Sequence, residues 1–160
     1  MVKSAAKDPK RSSPAGYVFD SFALLGWLTD EPGANTVQAI LEKAERKLAQ
    51  IYVSWMNVAE VYYITARRSL DPDKHLTART VVETIESLPV QIQVVSKSEA
   101  LAAASLKAGY PISLADACAA ALAKTHLARI VTGDPEFKPL EENQIVEMLW
   151  LPMKPPRRRS

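Results

Sequence analysis

Tyr17-Val18-Phe19-Asp20-Ser21 is a short β-like run that ends in a carboxylate and a hydroxyl. Valine and aromatic side chains suit the half-buried surface of a sheet. An aspartate directly after them stands beside apolar neighbours, where a charge is costly unless it is paired or binds a cation. The apolar stretch Phe22 to Leu28 follows without a gap. Asp20 therefore closes a strand candidate and stands where it can cap the element that follows.

Outward from this stretch the chain alternates between β-like and helical patterns. The turn Thr29-Asp30-Glu31-Pro32-Gly33 precedes a helical pattern from about Asn35 to Gln50, with Val37, Ile40, Leu41, Ala44 and Leu48 on one stripe. Ile51-Tyr52-Val53 is the second strand candidate. Helical segments run from Trp55 to Arg68 and from Pro72 to Ser87, divided by Asp71-Pro72-Asp73. Val90, Ile92 and Val94 alternate with Gln91 and Gln93, which predicts a strand with one exposed face. A helix from Ser98 to Lys107 stops at Gly109, with Pro111 beyond. The Ala- and Leu-rich segment Ser113 to His126 is the best helix former. Arg129 to Thr132 and Ile145 to Leu149 are the last strand candidates.

Strands that alternate with helices predict an α/β sandwich around a mainly parallel sheet. Sites in such sheets form outside the carboxyl ends of the strands, where the strand order switches. Asp20 and Asp134, the latter closing Ile130-Val131-Thr132-Gly133-Asp134, both follow strand candidates. Glu60, in Trp55-Met56-Asn57-Val58-Ala59-Glu60-Val61-Tyr62-Tyr63, and Asp116, in Ser113-Leu114-Ala115-Asp116-Ala117-Cys118, lie within a turn or two of the starts of their helices. The architecture thus carries four carboxylates to one rim, which suggests a shared site for a hard cation. Singly, each has another explanation. Asp20 serves as a helix cap, and Ser113 with Asp116 resembles a capping box. Asp134 in Gly133-Asp134-Pro135 is a good turn residue, and Glu60 is open to a wet helix face, although Val58, Ala59, Val61, Tyr62 and Tyr63 surround it in sequence.

Taken in order, Asp20-Ser21 after a Val-Phe strand, Asn57-Val58-Ala59-Glu60-Val61 on a helix, Leu114-Ala115-Asp116-Ala117 opening an Ala-rich helix, and Thr132-Gly133-Asp134 after a strand resemble a PIN domain. Within that family the chain is similar to VapC-type ribonuclease toxins of toxin–antitoxin pairs, over about residues 17–150. The resemblance implies a three-layer sandwich and an endoribonuclease dependent on Mg²⁺ or Mn²⁺. It also implies a homodimer and a small antitoxin that blocks the site. It maps the four acidic positions onto Asp20, Glu60, Asp116 and Asp134, with Ser21, Asn57 and Thr132 ordering the site. Asp20, Asp116 and Asp134 are the expected metal ligands, and Glu60 acts through a metal-bound water or holds a second ion. Two or three carboxylates suffice for Mg²⁺, which keeps several of its waters. Such an ion polarises the phosphoryl oxygen and acidifies a bound water. Without it the carboxylates repel one another, so at least one is expected to have a raised pKa. A departure from the resemblance is the basic segment ahead of the first strand.

Charge is segregated along the chain. Residues 1–16 carry +3 and residues 153–160 carry +4, which leaves −5 on residues 17–152 of a total of +2. The expected organisation is a flexible basic extension over 1–16, a PIN-like domain over 17–152 and a basic tail over 153–160. An acidic body repels RNA unless cations offset it. Arg157, Arg158 and Arg159 form the densest basic cluster, and Arg67 and Arg68 share the helix of Glu60 two turns on. These five are the candidate RNA contacts. The tail equally reads as a solubilising end, and the Arg67-Arg68 pair as a solvated helix end facing its own dipole.

Other chemistries lack their residues. No apolar stretch approaches a membrane span, and the polar, basic start lacks a signal-peptide core, so a soluble cytoplasmic domain is expected. The single cysteine, Cys118, builds no disulfide and reads as a small core residue. His75 and His126 have no second ligand at metal spacing, which excludes a zinc cluster. Neither a phosphate-binding glycine loop nor a nucleophile elbow is present. Two alternatives remain at this level. One is a catalytically silent module of the same fold, with Trp27, Tyr62 and Trp150 available for contacts. The other is a haloacid dehalogenase-like phosphatase, whose expected second aspartate is here Phe22.

Overall fold

The strands bury alternate side chains on opposite faces, and this decides the layering. The computed structural model describes residues 14–154. Its elements are β1 (Ala15–Phe19), α1 (Ser21–Leu28), α2 (Ala34–Glu45), β2 (Ala49–Ser54), α3 (Trp55–Arg68), α4 (Lys74–Glu86) and β3 (Gln91–Gln93). Next come α5 (Lys97–Gly109), α6 (Leu114–His126), β4 (Arg129–Thr132), a 3-10 turn over Pro135–Phe137, α7 (Lys138–Glu142) and β5 (Met148–Trp150). Val18, Tyr52, Ile130 and Met148 face a core shared with α5, α6 and α7. Tyr17, Phe19, Ile51, Val53 and Val131 face the opposite core, built with α1 to α4. The result is a three-layer α/β/α sandwich, as the sequence implied.

All four strand pairings are parallel, in the order β3-β2-β1-β4-β5. From β1 in the middle of the sheet the chain winds outward to β3, then returns to lay β4 against the other side of β1. The strand order therefore switches between β1 and β4, where α/β sheets open a crevice. Helix α6 lies over β1, β2 and β4. Its residues Ala115 to Ala123 are all buried, as expected of a helix that is apolar all round. Small alanines let it lie close to the sheet.

Side-chain caps fix the helix starts. Asp20, Ser54, Asp73, Ser96 and Ser113 accept backbone N–H groups at the starts of α1, α3, α4, α5 and α6, each worth about 1 kcal/mol. Ser96 and Glu99 form a full capping box. Cys118 is buried, as read from its alanine-rich setting. No helix among the described residues is long and apolar enough to cross a membrane.

Several sequence-based boundaries move. The helix expected over Asn35 to Gln50 ends at Glu45, because Lys47 takes a left-handed φ of 60°. Ala49 and Gln50 then belong to β2, and Leu48, placed on the apolar stripe, is 60% exposed. The strand expected over Val90 to Val94 shrinks to an edge of three residues, with Val94 76% exposed. Here a single pairing partner cannot hold the whole alternating run. The last strand starts at Met148 rather than Ile145, after a left-handed Gln144. The first strand begins at Ala15, two residues before the apolar run.

A candidate acidic active site

The switch between β1 and β4 sets two carboxylates side by side at the carboxyl edge of the sheet. Asp20 leaves β1 as the cap of α1, its Oδ1 accepting the Ala23 N–H at 2.8 Å. Its Oδ2 accepts the Thr132 hydroxyl of β4 at 2.5 Å. The same Thr132 Oγ1 accepts the Asp134 N–H at 3.0 Å, so one hydroxyl ties the end of β1 to the turn after β4. Asp134 Oδ1 in turn accepts the Glu136 N–H at 2.9 Å. Caps and turns that serve as rival explanations in the sequence are thus the devices that position the acids.

Asp116 arrives on the first turn of α6. The Ser113 hydroxyl donates to Asp116 Oδ2 at 2.7 Å and accepts the Asp116 N–H at 3.0 Å. Glu60 comes from α3 and accepts the Ser21 hydroxyl on one oxygen and the Tyr63 hydroxyl on the other at 3.3 Å. Asn57, one turn earlier, donates from Nδ2 to Ser21 Oγ at 3.3 Å. Asp20, Ser21, Glu60, Asp116 and Asp134 together line one cleft of about 330 Å³ with Phe22, Leu25, Ile64, Arg68, Ser113 and Glu136.

Burial is distributed differently from what the sequence implied. Glu60 looks the most costly acid in sequence, yet it is only half-buried. Val58 and Val61 turn into the core while Ala59 and Tyr63 are exposed, so Glu60 lies at the boundary of the helix's wet face. Asp20 is the enclosed carboxylate, 1% exposed. Burial pushes its pKa up to about 8, against the hydrogen bonds from Thr132 and Ala23 that favour the anion, with smaller upward pushes from Asp116 and Asp134. Asp116 is pushed up to about 6, first by burial and then by Asp134, Glu60 and Glu136, while the Ser113 hydroxyl pulls it down. Raised carboxylates are expected of the set, but loss of hydration outweighs mutual repulsion as their cause.

The donors suit a hard divalent cation. One carboxylate oxygen from each of Asp116, Asp134 and Glu136 lies within 4.8 Å of the others, and such ions take oxygen ligands. Asn57 Oδ1 is buried and has no hydrogen-bond partner among the described residues, an expensive state for an isolated acceptor. Glu136 is absent from the sequence-based site. Its signal is faint, an acid two residues past Asp134 across a proline, which also reads as an ordinary helix-start charge.

The basic candidates separate. Arg68 lines the cleft, while Arg67 is exposed on the neighbouring face of α3. Arg157, Arg158 and Arg159 lie outside the described residues. His75 is exposed and shares a hydrogen bond with the Tyr62 hydroxyl at 3.0 Å. His126 is half-buried, stacked on Tyr52 at 3.7 Å between ring centroids.

Comparison with known proteins agrees with this geometry. The chain superposes on VapBC2 from Rickettsia felis, solved bound to a promoter DNA fragment, with a TM-score of 0.63 at 16% identity, covering 86% of this chain and 99% of that one. DNA-bound VapBC from Salmonella typhimurium gives 0.61 at 16% identity, over 84% and 97% of the two chains. VapC20 from Mycobacterium tuberculosis, described as a sarcin-ricin loop cleaving toxin, gives 0.59 at 16% identity, over 77% and 93%. At such identities the likeness is one of fold. No curated protein sequence matches the chain. The family model of the PIN domain matches residues 17–143, nearly all of the sandwich and every carboxylate of the cleft. The chain belongs to the PIN domain family.

Proposed function

We propose that the protein is an endoribonuclease dependent on Mg²⁺ or Mn²⁺, and the toxin of a VapBC-type pair held in check by an antitoxin. The observation that carries this reading is the convergence of Asp20, Glu60, Asp116, Asp134 and Glu136 on one cleft at the carboxyl edge of the sheet. Solved structures of similar fold are toxin–antitoxin complexes, and one is described as cleaving a sarcin-ricin loop. By the same analogy the toxin is a cytoplasmic homodimer.

Asp116, Asp134 and Glu136 would hold the cation, with Asp20 in the same cleft. When bound, it supplies positive charge against the phosphate and lowers the pKa of an attacking water. The chain's own groups set up that chemistry. Thr132 and Ala23 orient Asp20, and Ser113 orients Asp116. Ser21 and Tyr63 occupy one oxygen each of Glu60, which holds that carboxylate in position to accept a proton or orient water. Phe22, Leu25 and Ile64 give the cleft an apolar wall, and low local polarity strengthens each charge interaction inside it.

The test is incubation of the purified protein with transfer, ribosomal and messenger RNA, in Mg²⁺, in Mn²⁺ and in EDTA. Cleavage in the metals alone, lost in Asp116→Asn, is expected. Undiminished cleavage in EDTA, or by Asp116→Asn, would overturn the reading.

A further inference from the structure

The face of α3 that carries Glu60 continues as Tyr63 and Arg67, spaced i, i+3 and i+7 and therefore stacked along one side of the helix. On the adjacent row Ile64 and Arg68 line the cleft itself. Tyr63 is 46% exposed, and its hydroxyl donates to Glu60 Oε1 at 3.3 Å. That bond restrains the ring beside the acids instead of leaving it free to sample solvent. Loss of hydration and the charges of Glu60 and Asp116 raise the Tyr63 pKa, while Arg67 lowers it. Phenol, guanidinium and carboxylates thus share one neighbourhood.

Both arginines are exposed, and among the described residues neither joins an ion pair. Among the described residues the pair is Lys154 with Glu31, at 2.6 Å. Two uncommitted guanidinium groups beside a carboxylate cleft offer paired hydrogen-bond donors to phosphate. An exposed aromatic ring on the helix face between Glu60 and Arg67 suits a base that is free of its own helix, since stacking on a side chain requires an unstacked base.

We propose that Tyr63, Arg67 and Arg68 form a track for single-stranded RNA leading out of the acidic cleft. A base next to the reacting phosphate stacks on the Tyr63 ring, and neighbouring phosphates pair with the two arginines. This rests on the nuclease reading above and adds the side chains that hold the strand beside the acids. A duplex keeps its bases stacked and paired, so it presents nothing to Tyr63 and is held by the arginines alone.

The experiment is fluorescence anisotropy of a labelled mixed-sequence oligoribonucleotide, alone and annealed to its complement, with the full chain in EDTA so that metal-dependent cleavage is withheld. Tyr63→Ala should weaken binding of the single strand roughly tenfold and leave the duplex unchanged, because stacking on one aromatic ring accounts for a factor of about that size. Tyr63→Phe should restore most of the affinity, and Tyr63→Leu should not. Arg67→Ala and Arg68→Ala should each flatten the salt dependence by the release of roughly one counterion. Matching circular dichroism spectra keep the comparison to folded protein. Single-strand affinity unchanged in Tyr63→Ala, or an equal loss for the duplex, overturns the track. If the wild type cuts RNA in Mg²⁺ while Tyr63→Ala binds normally, the track alone falls. If the wild type neither binds nor cuts any RNA, the nuclease reading falls with it.

Discussion

Between about pH 6 and about pH 8 metal-free protein should lose stability as pH rises, and Asp20→Asn should abolish that loss. Asp20 has a pKa of about 8 in the folded protein against 3.8 for an ordinary aspartate. Between those values the folded state holds a proton that the unfolded chain has released. The stabilisation is therefore complete below about pH 4 and is lost as pH rises through about 8. Each pH unit in that window removes about 1.4 kcal/mol per extra proton held. Asp116, with a pKa of about 6, adds its own loss at the lower end, so above that value the slope belongs to Asp20. For a chain of this length about 1.4 kcal/mol corresponds to a Tm change of roughly 4 °C. Thermal melts in EDTA between about pH 6 and about pH 8 should fall by that amount per unit in the wild type. In Asp20→Asn they should be nearly flat, because the amide still accepts the Ala23 N–H and never ionises. Adding Mg²⁺ should flatten the wild-type profile, since a bound cation stabilises the ionised form and binds only the folded state. A flat wild-type profile in EDTA, or a slope that survives in Asp20→Asn, would refute burial as the dominant influence on this carboxylate.

Further expectations follow from single contacts. Saturating Mg²⁺ or Mn²⁺ should raise the wild-type Tm, and Asp20→Asn should lose both that rise and RNA cleavage; retained cleavage would remove Asp20 from the site. Thr132→Val strips Asp20 Oδ2 and the Asp134 N–H of their shared partner, so urea melts should show a loss of about 1–3 kcal/mol along with reduced cleavage. Gly133→Ala places a methyl 2.4 Å from the Phe22 ring, which overpacks the mouth of the cleft and should cost about 1–3 kcal/mol. Glu136→Gln alters an exposed side chain, so titration calorimetry should show weaker Mg²⁺ binding with the metal-free Tm within about 1 °C of wild type.

The alternation of apolar runs with amphipathic segments, and the acids at their junctions, were legible from residue type alone. Strand alternation and helix periodicity are local properties, and so are capping preferences. Hence α3 and β4 fall where the pattern puts them, and Asp20, Ser113 and Asp134 could be singled out as caps or turns. Local pattern failed where the backbone leaves it. Left-handed residues at Lys47 and Gln144 end one element and delay the next, and neither is a residue type that favours that conformation.

Tertiary structure alone decided which acid carries the electrostatic burden. Glu60 has apolar neighbours in sequence, but the helix turns them away from it. Asp20 looks like an ordinary cap, yet the return of β4 beside β1 encloses it and supplies Thr132 from more than a hundred residues away. The same return places Glu136 with Asp116 and Asp134, a grouping without a local signature. Desolvation depends on everything that packs around a group. A chain of residue types specifies the elements, whereas the closing of the sheet at its switch point creates the site.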